Sequence, residues 1–485
     1  MRYATFVIYL SFAVVVNVFA ATEIDLPDLG DSAGSVISPE QERKIAKSFK
    51  RELFRQAPLE TDEEIIDYLN KLAKSLTSNA DYEGEFEICM INSKAINAFA
   101  VPGGLICFNS GLIMETQTEA ELASVMAHEI SHVTQRHGAR MIEAASKMNI
   151  PTIAALVGSI ALAAANPQAG YAAIMATQAA AVQYQINFTR ANEREADALG
   201  ISLLAKSGYN PKGMADFFGR MMRASRYSDP KLVPEYLRTH PLSVNRIAEA
   251  QSRVDSIGQG VVREEDFSYQ LIWAKIRVLS EKESANALNF FEDRVATTEG
   301  AVQLAARYGR AIAYREINDF SSARREIEAL LDKHPKEISF LLEAAAIEKL
   351  AGDYREASFY YSKAYKFSPN NRAAIYGLVE NLLKLKKTDE ALAILDEFKF
   401  SGELDSKFYK LQAETLHLLE RQVSSKMAMA EHYFTIGETA LAAEQLRVAR
   451  GNRNITNYQR LKVVARLSEL EKILVKETEQ KKNRM

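Results

Sequence analysis

The 485-residue sequence predicts a mostly α protein with one small β-sheet, a globular first half being followed by an α-solenoid. Three observations carry that prediction. Long stretches of Ala, Leu, Glu, Lys and Arg are interrupted by only 22 Gly and 12 Pro, a composition that favours helix throughout. Three short apolar stretches between residues 86 and 108 break the helical pattern with strand-like composition. In the second half, Ala323, Ala357 and Ala391 recur at one fixed interval, as the small residues of stacked helix pairs do. The length calls for two or three domains. A formal net charge of −3 leaves no basic excess to neutralise phosphates, so nucleic acid is excluded as a general partner.

Residues 1–20 read as an export signal. Arg2 supplies positive charge, Phe6 to Leu10 and Val14 to Val16 an apolar core, and Val18-Phe19-Ala20 a small-residue cleavage pattern. The apolar run is short for a membrane span, so cleavage after Ala20 is expected rather than an anchor. No Cys lies near the cut, which excludes a lipoprotein. Residues 21–37 have no periodicity and form a linker.

Residues 38–255 form the first folded unit. Ser38-Pro39-Glu40-Gln41 has the form of a helix start, with Ser as N-cap and Pro at the first helical position. Thr61 with Glu64 repeats the signal, and Ile65, Tyr68, Leu69, Leu72 and Leu76 follow at helical spacing. Phe86–Ile91, Ala98–Val101 and Leu105–Phe108 read as strands. Pro102-Gly103-Gly104 makes the middle one an edge strand, because proline cannot donate to a sheet ladder. An extended substrate could add to such an edge along Asn97, Ala98, Phe99, Ala100 and Val101. Cys89 and Cys107 lie in strands. They would pair if the strands set them face to face, but two buried free thiols are the simpler expectation.

Thr118 and Glu121 form a capping box that opens the helix carrying His128-Glu129-Ile130-Ser131-His132. Histidines four residues apart stand on one helical face, where both imidazoles can bind one metal ion. Glu129 between them is placed as the base that takes a proton from an attacking water. Leu122, Val125, Met126, Ile130 and Val133 turn the helix inward, giving the site rigid support. His137, five residues past His132, faces off the metal side and reads as structural. Ile150 to Ala181, rich in Ala, Ile and Met, reads as a buried or lid-forming helical hairpin. Glu193 and Asp197, one turn apart on the next helix, can divide two tasks: one carboxylate ligating the metal, the other orienting a ligand histidine. Thr239-His240-Pro241 follows, with Arg246 shortly after.

Residues 256–267 read as a linker, and 268–476 as helical repeats. Asn318-Asp319-Phe320, Gly352-Asp353-Tyr354 and Lys387-Thr388-Asp389 mark turns before the three alanines, and Pro335 and Pro369 close the first two units. This is the tetratricopeptide pattern, which stacks into a solenoid with a concave face. Ile436-Gly437-Glu438 with Ala442 falls half a repeat out of phase, so an extra helix or irregular pair is expected near residues 400–425. The charged end, 477–485, reads as disordered.

Taken together, His128–His132, Asn192–Asp197 and Asn97–Gly104 resemble the zinc endopeptidase family that includes the CAAX prenyl protease and the heat-shock membrane protease HtpX. The resemblance implies a zincin-type metallopeptidase domain with one zinc ion per chain. His128, His132 and Glu193 would be its ligands, Glu129 the general base and Asp197 a support. Thr239-His240-Pro241 matches the segment where such proteins keep a histidine close to the metal. His240 would be either a fourth ligand that holds the enzyme latent or a donor to the transition state. The order of signal, peptidase and repeats resembles that of periplasmic bacterial members. It implies work at the outer membrane: chaperoning β-barrel precursors onto the assembly machinery through the repeats and degrading unfolded or misassembled outer-membrane proteins, with peripheral membrane contact admitted. The chain departs from expectation in two places: the third repeat lacks its Pro, and Gln135 and Gly138 stand where a metzincin would have Gly and His. A rival reading makes the repeats the working part, a periplasmic chaperone or scaffold with a structural or latent zinc site. Glu129 speaks against it, since a structural site needs no base.

Overall fold

The computed structural model describes residues 37–146, 182–226, 234–257, 263, 267–401 and 404–482. The signal, nearly all of the first linker, the hairpin expected at Ile150–Ala181 and most of the second linker lie outside the described residues.

Helix α1 (Pro39–Gln56) starts at Ser38 with the expected capping box to Gln41. Helix α2 (Glu63–Thr77) is capped by Asp62 rather than Thr61, because the Asp62 carboxylate accepts from the N–H of both Glu64 and Ile65. Strands β1 (Glu87–Ile91), β2 (Ala98–Val101) and β3 (Leu105–Asn109) form a sheet of order β1-β3-β2, with β3 parallel to β1 and antiparallel to β2. β2 is therefore an edge. Its turn needs glycine: Gly103 has φ 97°, and a Cβ there would stand 2.3 Å from the Glu42 carbonyl oxygen of α1. Cys89 and Cys107 are direct partners in the β1–β3 register and form a disulfide. The expectation of free thiols is overturned, because the parallel pairing sets the two side chains on one face.

Helices α3 (Ser110–Glu115), α4 (Glu119–Thr134), α5 (His137–Ser146), α6 (Val182–Lys206), α7 (Lys212–Arg226), α8 (Glu235–Thr239) and α9 (Val244–Ile257) complete this half. α4 is buried on every side, its Leu122, Val125, Met126 and Ile130 packing among Leu69, Phe108, Leu204 and Phe217. Each such side chain stabilises the fold by about 1.5–3 kcal/mol, so the helix that carries the metal motif has little freedom to move.

Helix α10 (Ser268–Leu279) belongs to both halves. Tyr269, Ile272 and Ile276 enter the first core, while Leu271, Ala274 and Val278 enter the first core of the solenoid. Between them the buried Lys275 ammonium lies 2.7 Å from both Asp62 and Glu64. Antiparallel helices follow: α11 (Ser284–Thr297), α12 (Gly300–Glu316), α13 (Phe320–Leu331), α14 (Ile338–Ala351), α15 (Tyr354–Phe367), α16 (Arg372–Lys384) and α17 (Thr388–Ser401). Ala323, Ala357 and Ala391 are fully buried near the starts of α13, α15 and α17, where only a small side chain lets the helices close. Near residues 400–425 an ordinary pair stands in place of the expected extra helix or irregular pair: α18 (Ser406–Leu418) packs on α19 (Gln422–Thr435), where Ser425, 34 residues after Ala391, is buried, and α20 (Thr439–Arg450) and α21 (Asn457–Lys482) follow.

The charged end expected to be disordered begins inside α21. Glu477 is held there by Arg51 of α1 at 2.6 Å, and Arg51 also bonds Thr439 and lies over the Phe434 ring. The last repeat thus returns to the first helix. Midway along, the N–H of Arg372 donates to Asp67 of α2 at 2.9 Å.

Candidate metal centre

α4 places His128 and His132 one turn apart on a single face. α6 lies across them, and Gly200 permits the close crossing: a Cβ there would meet the His128 nitrogen at 3.3 Å and the Met214 methyl at 2.9 Å. The crossing brings Glu193 and Asp197 onto the histidines. α8 ends at His240, whose N–H donates to the Tyr236 carbonyl at 2.8 Å while Tyr236 packs on its ring.

One donor atom each from His128, His132, Glu193 and His240 lies within 4.8 Å of the other three. His128 Nε2 is 3.0 Å from His132 Nε2 and 3.2 Å from His240 Nδ1. The Glu193 oxygens stand 3.4 Å from His128 Nε2, 3.3 Å from His132 Nε2 and 3.1 Å from His240 Nδ1. Ligand atoms set about 2.0–2.1 Å from a tetrahedral centre stand about 3.3–3.4 Å apart, so the cage has the dimensions of a four-coordinate metal site.

The outer hydrogen bonds turn the right atoms inward. Asp197 Oδ1 lies 3.0 Å from His128 Nδ1, and its negative charge there favours the ring's proton on Nδ1, leaving the Nε2 lone pair for the cage. His137 Nε2 faces Glu195 at 3.2 Å, and His137 Nδ1 faces His132 Nδ1 at 2.9 Å. Read in order, His137 donates to Glu195 and accepts from His132, so the His132 Nε2 lone pair also points into the cage. Lone pairs this close repel one another unless a cation lies between them. Arg246 closes the arrangement. It holds Asp197 through two bonds of 2.7 and 2.8 Å, reaches Glu193 at 3.0 Å and donates to the Pro241 carbonyl beside His240.

The electrostatics make the same demand. Burial lowers the His128 pKa, yet Asp197 and Glu193 outweigh it and raise the group to about 10. Burial pushes His132 down to about 3, keeping it neutral as a ligand must be. Burial alone would raise Glu193, but His240, His128 and His132 hold it well below the usual carboxylate range. A dication would supply the positive charge these carboxylates call for and leave the imidazoles neutral. Glu129, beside the cage, is pushed up by burial against the pull of His240 and His128, with the Ala100 backbone of β2 also lowering it. His240 Nε2 stands 3.3 Å from Glu129.

The six residues anticipated for metal and chemistry thus come together: His128, Glu129, His132, Glu193, Asp197 and His240. β2 runs past Glu129 at Ala100, while the side chains of Asn97, Ala98, Phe99 and Val101 are buried, so this strand offers backbone rather than side chains. His137, read as structural, contacts His132 from outside the cage and orients its ring. Glu195, Arg246 and Tyr236 were not anticipated as parts of the centre. Tyr236 is buried, and its hydroxyl has no hydrogen-bond partner among the described residues.

A caged metal site with a carboxylate beside it, on a helix followed by stacked helix pairs, defines a metallopeptidase with tetratricopeptide repeats. The sequence model of Peptidase family M48 matches residues 60–254, and a tetratricopeptide-repeat model matches residues 350–414. The Beta-barrel assembly-enhancing protease of Escherichia coli K12 is 34% identical over 473 residues, covering 97% of this chain and 96% of that protein. The Putative beta-barrel assembly-enhancing protease of Vibrio cholerae is 38% identical over 314 residues, 64% of each chain. The human mitochondrial metalloendopeptidase OMA1 is 26% identical over 250 residues, 49% of this chain and 47% of that one. The chain belongs to the beta-barrel assembly-enhancing protease family, and it is a metalloendopeptidase with repeats suited to protein partners.

Proposed function

We propose that this chain is a zinc endopeptidase of the periplasm that chaperones outer-membrane β-barrel proteins during assembly and degrades those that misassemble. The observation that carries the reading is the convergence of His128, His132, Glu193 and His240 beside Glu129 and the β2 edge. The names of the relatives support the β-barrel substrate class. The N-terminal signal and the Cys89–Cys107 disulfide suit an oxidising compartment outside the cytoplasm. Among the described residues no helix is long and apolar enough to cross a membrane.

In this reading His128, His132 and Glu193 hold one zinc ion, with Asp197 and His137 fixing the two rings. Bound zinc supplies Lewis acidity, lowering the pKa of water toward about 7 and polarising the scissile carbonyl. An unfolded β segment pairs in extended form with Asn97–Val101, which sets its backbone beside Glu129. Glu129, its pKa raised by burial, takes the proton of the attacking water and passes it to the leaving amine. The repeats bind the assembly machinery. His240 is the fourth ligand of a latent form and withdraws when substrate arrives. That closed four-ligand geometry also favours the reading of a repeat-based scaffold with a mostly latent site.

Cleavage of an unfolded β-barrel precursor, with metal present and after chelation, tests the proposal. Cleavage should stop on chelation, return with zinc, and rise in His240→Ala. Cleavage that survives complete metal removal would overturn the peptidase reading. Failure of His240→Ala to cleave, with its metal still bound, would favour the scaffold.

A further inference from the structure

The last hairpin of the solenoid has an outer surface that a terminal repeat ordinarily avoids. End repeats need a polar outer face, because no neighbour covers them. Here α21 buries Val463, Leu467 and Leu470 against α20 but turns Tyr458 and Leu461 outward, 67% and 73% exposed. Val464 beside them and Val448 at the end of α20 are about half exposed. These side chains lie in the last turn of α20 and the first two turns of α21, on either side of the loop that joins the two helices at the hairpin's tip.

Charge at the same tip is one-sided. Gln445 to Ser468 contains Arg447, Arg450, Arg453, Arg460, Lys462 and Arg466 and no Asp or Glu, in a chain whose net charge is −3. Two of the six are neutralised by carboxylates from outside the segment: Arg447 by Glu471 at 3.0 Å, and Arg466 by Glu431 at 2.8 Å and Glu469 at 2.7 Å. Among the described residues Arg450, Arg453, Arg460 and Lys462 form no ion pair, and all four are exposed. Lys462 lies over the Tyr458 ring with its ammonium 4.5 Å from the centroid.

We propose that this tip docks on a lipid bilayer bearing anionic headgroups. Exposed aliphatic and aromatic side chains ringed by unpaired cations match an interfacial helix end: the apolar groups sink below the headgroups and the cations stay among them. A second copy of the chain is disfavoured, because two such tips meet with like charge. An acidic protein fits less well, because the apolar side chains project from the tip instead of lining a groove. The tip shares no residue with the metal centre, so membrane docking is independent of whether His240 keeps the enzyme latent.

Flotation of the full chain with vesicles of phosphatidylcholine, alone or mixed with phosphatidylglycerol, tests it. The chain should float with the anionic vesicles only, and high salt should release it. Each basic residue near such a surface contributes about fivefold in binding, so Arg453→Glu with Arg460→Glu should weaken it at least about 25-fold. Leu461→Ser, which removes the apolar side chain and leaves the charge of the tip unchanged, should weaken it as well. Lys384→Glu, an exposed reversal on another repeat, should leave it unchanged. All variants should keep the wild-type melting profile and peptidase activity. Absence of wild-type flotation, or equal flotation by the tip variants, would overturn the proposal. If poly-glutamate binds in place of vesicles and the Arg453/Arg460 pair abolishes that binding, the partner is an acidic protein.

Discussion

The metal centre and the solenoid bury their residues for opposite reasons. Around His128 the interior is polar: five ionisable side chains besides His128 itself (Glu129, Glu193, Asp197, His240 and Arg246) sit within a tenth of full burial, and every one needs a partner. At Ala323, Ala357 and Ala391 the interior is apolar and tight, and what matters is the absence of bulk. In the first region a substitution should change chemistry more than stability; in the second, the reverse. α10 is where the two meet, since it contributes side chains to both cores around Lys275.

The sharpest break between them should come from His128→Ala. It removes a proposed ligand from the cage, and metal affinity should fall by at least about a hundredfold in a competition titration, with the melting of the repeats unmoved; equal loss of repeat structure would erase the contrast. Lys275→Ala should act on both regions at once. It strands Asp62 and Glu64 as buried carboxylates without their cation, a loss of about 3–5 kcal/mol in chemical denaturation. Ala357→Leu should cost about 1–3 kcal/mol through overpacking at a helix crossing while leaving metal content at the wild-type level.

A smaller effect should appear where α2 meets the solenoid. Burial first, then Asp405 and Asp67, push the Glu63 carboxyl up to about 8, against Lys407 and Arg372. A folded pKa above the unfolded value of 4.5 contributes stability that is complete below 4.5 and is lost as pH rises through about 8. Glu63→Gln should therefore raise the melting temperature at pH above 8, leave it unchanged at pH 4, and flatten the slope between.

Much of the centre was legible in the sequence because its partners are paired locally. His128 with His132, and Glu193 with Asp197, each lie one helical turn apart, and that spacing alone puts each pair on one face. His137, Glu195, Arg246 and Tyr236 were not legible as parts of the site. Their roles depend on α5, α6, α8 and α9 meeting in space, and no spacing within any one helix records that approach. The disulfide failed to show for a similar reason: pairing of Cys89 with Cys107 depends on β1 and β3 being parallel and in register. The repeat period was readable because each crossing alanine recurs, whereas the return of Glu477 to Arg51 spans almost the whole chain.

We propose the buried cage as a working metallopeptidase centre with Glu129 as its base. Turnover per bound metal ion in Glu129→Gln tests this most directly, because the substitution keeps the size of the side chain and removes its basicity. Metal content should stay at the wild-type level, near one ion per chain, with turnover at least about a hundredfold lower. Wild-type turnover from metal-loaded Glu129→Gln would contradict it.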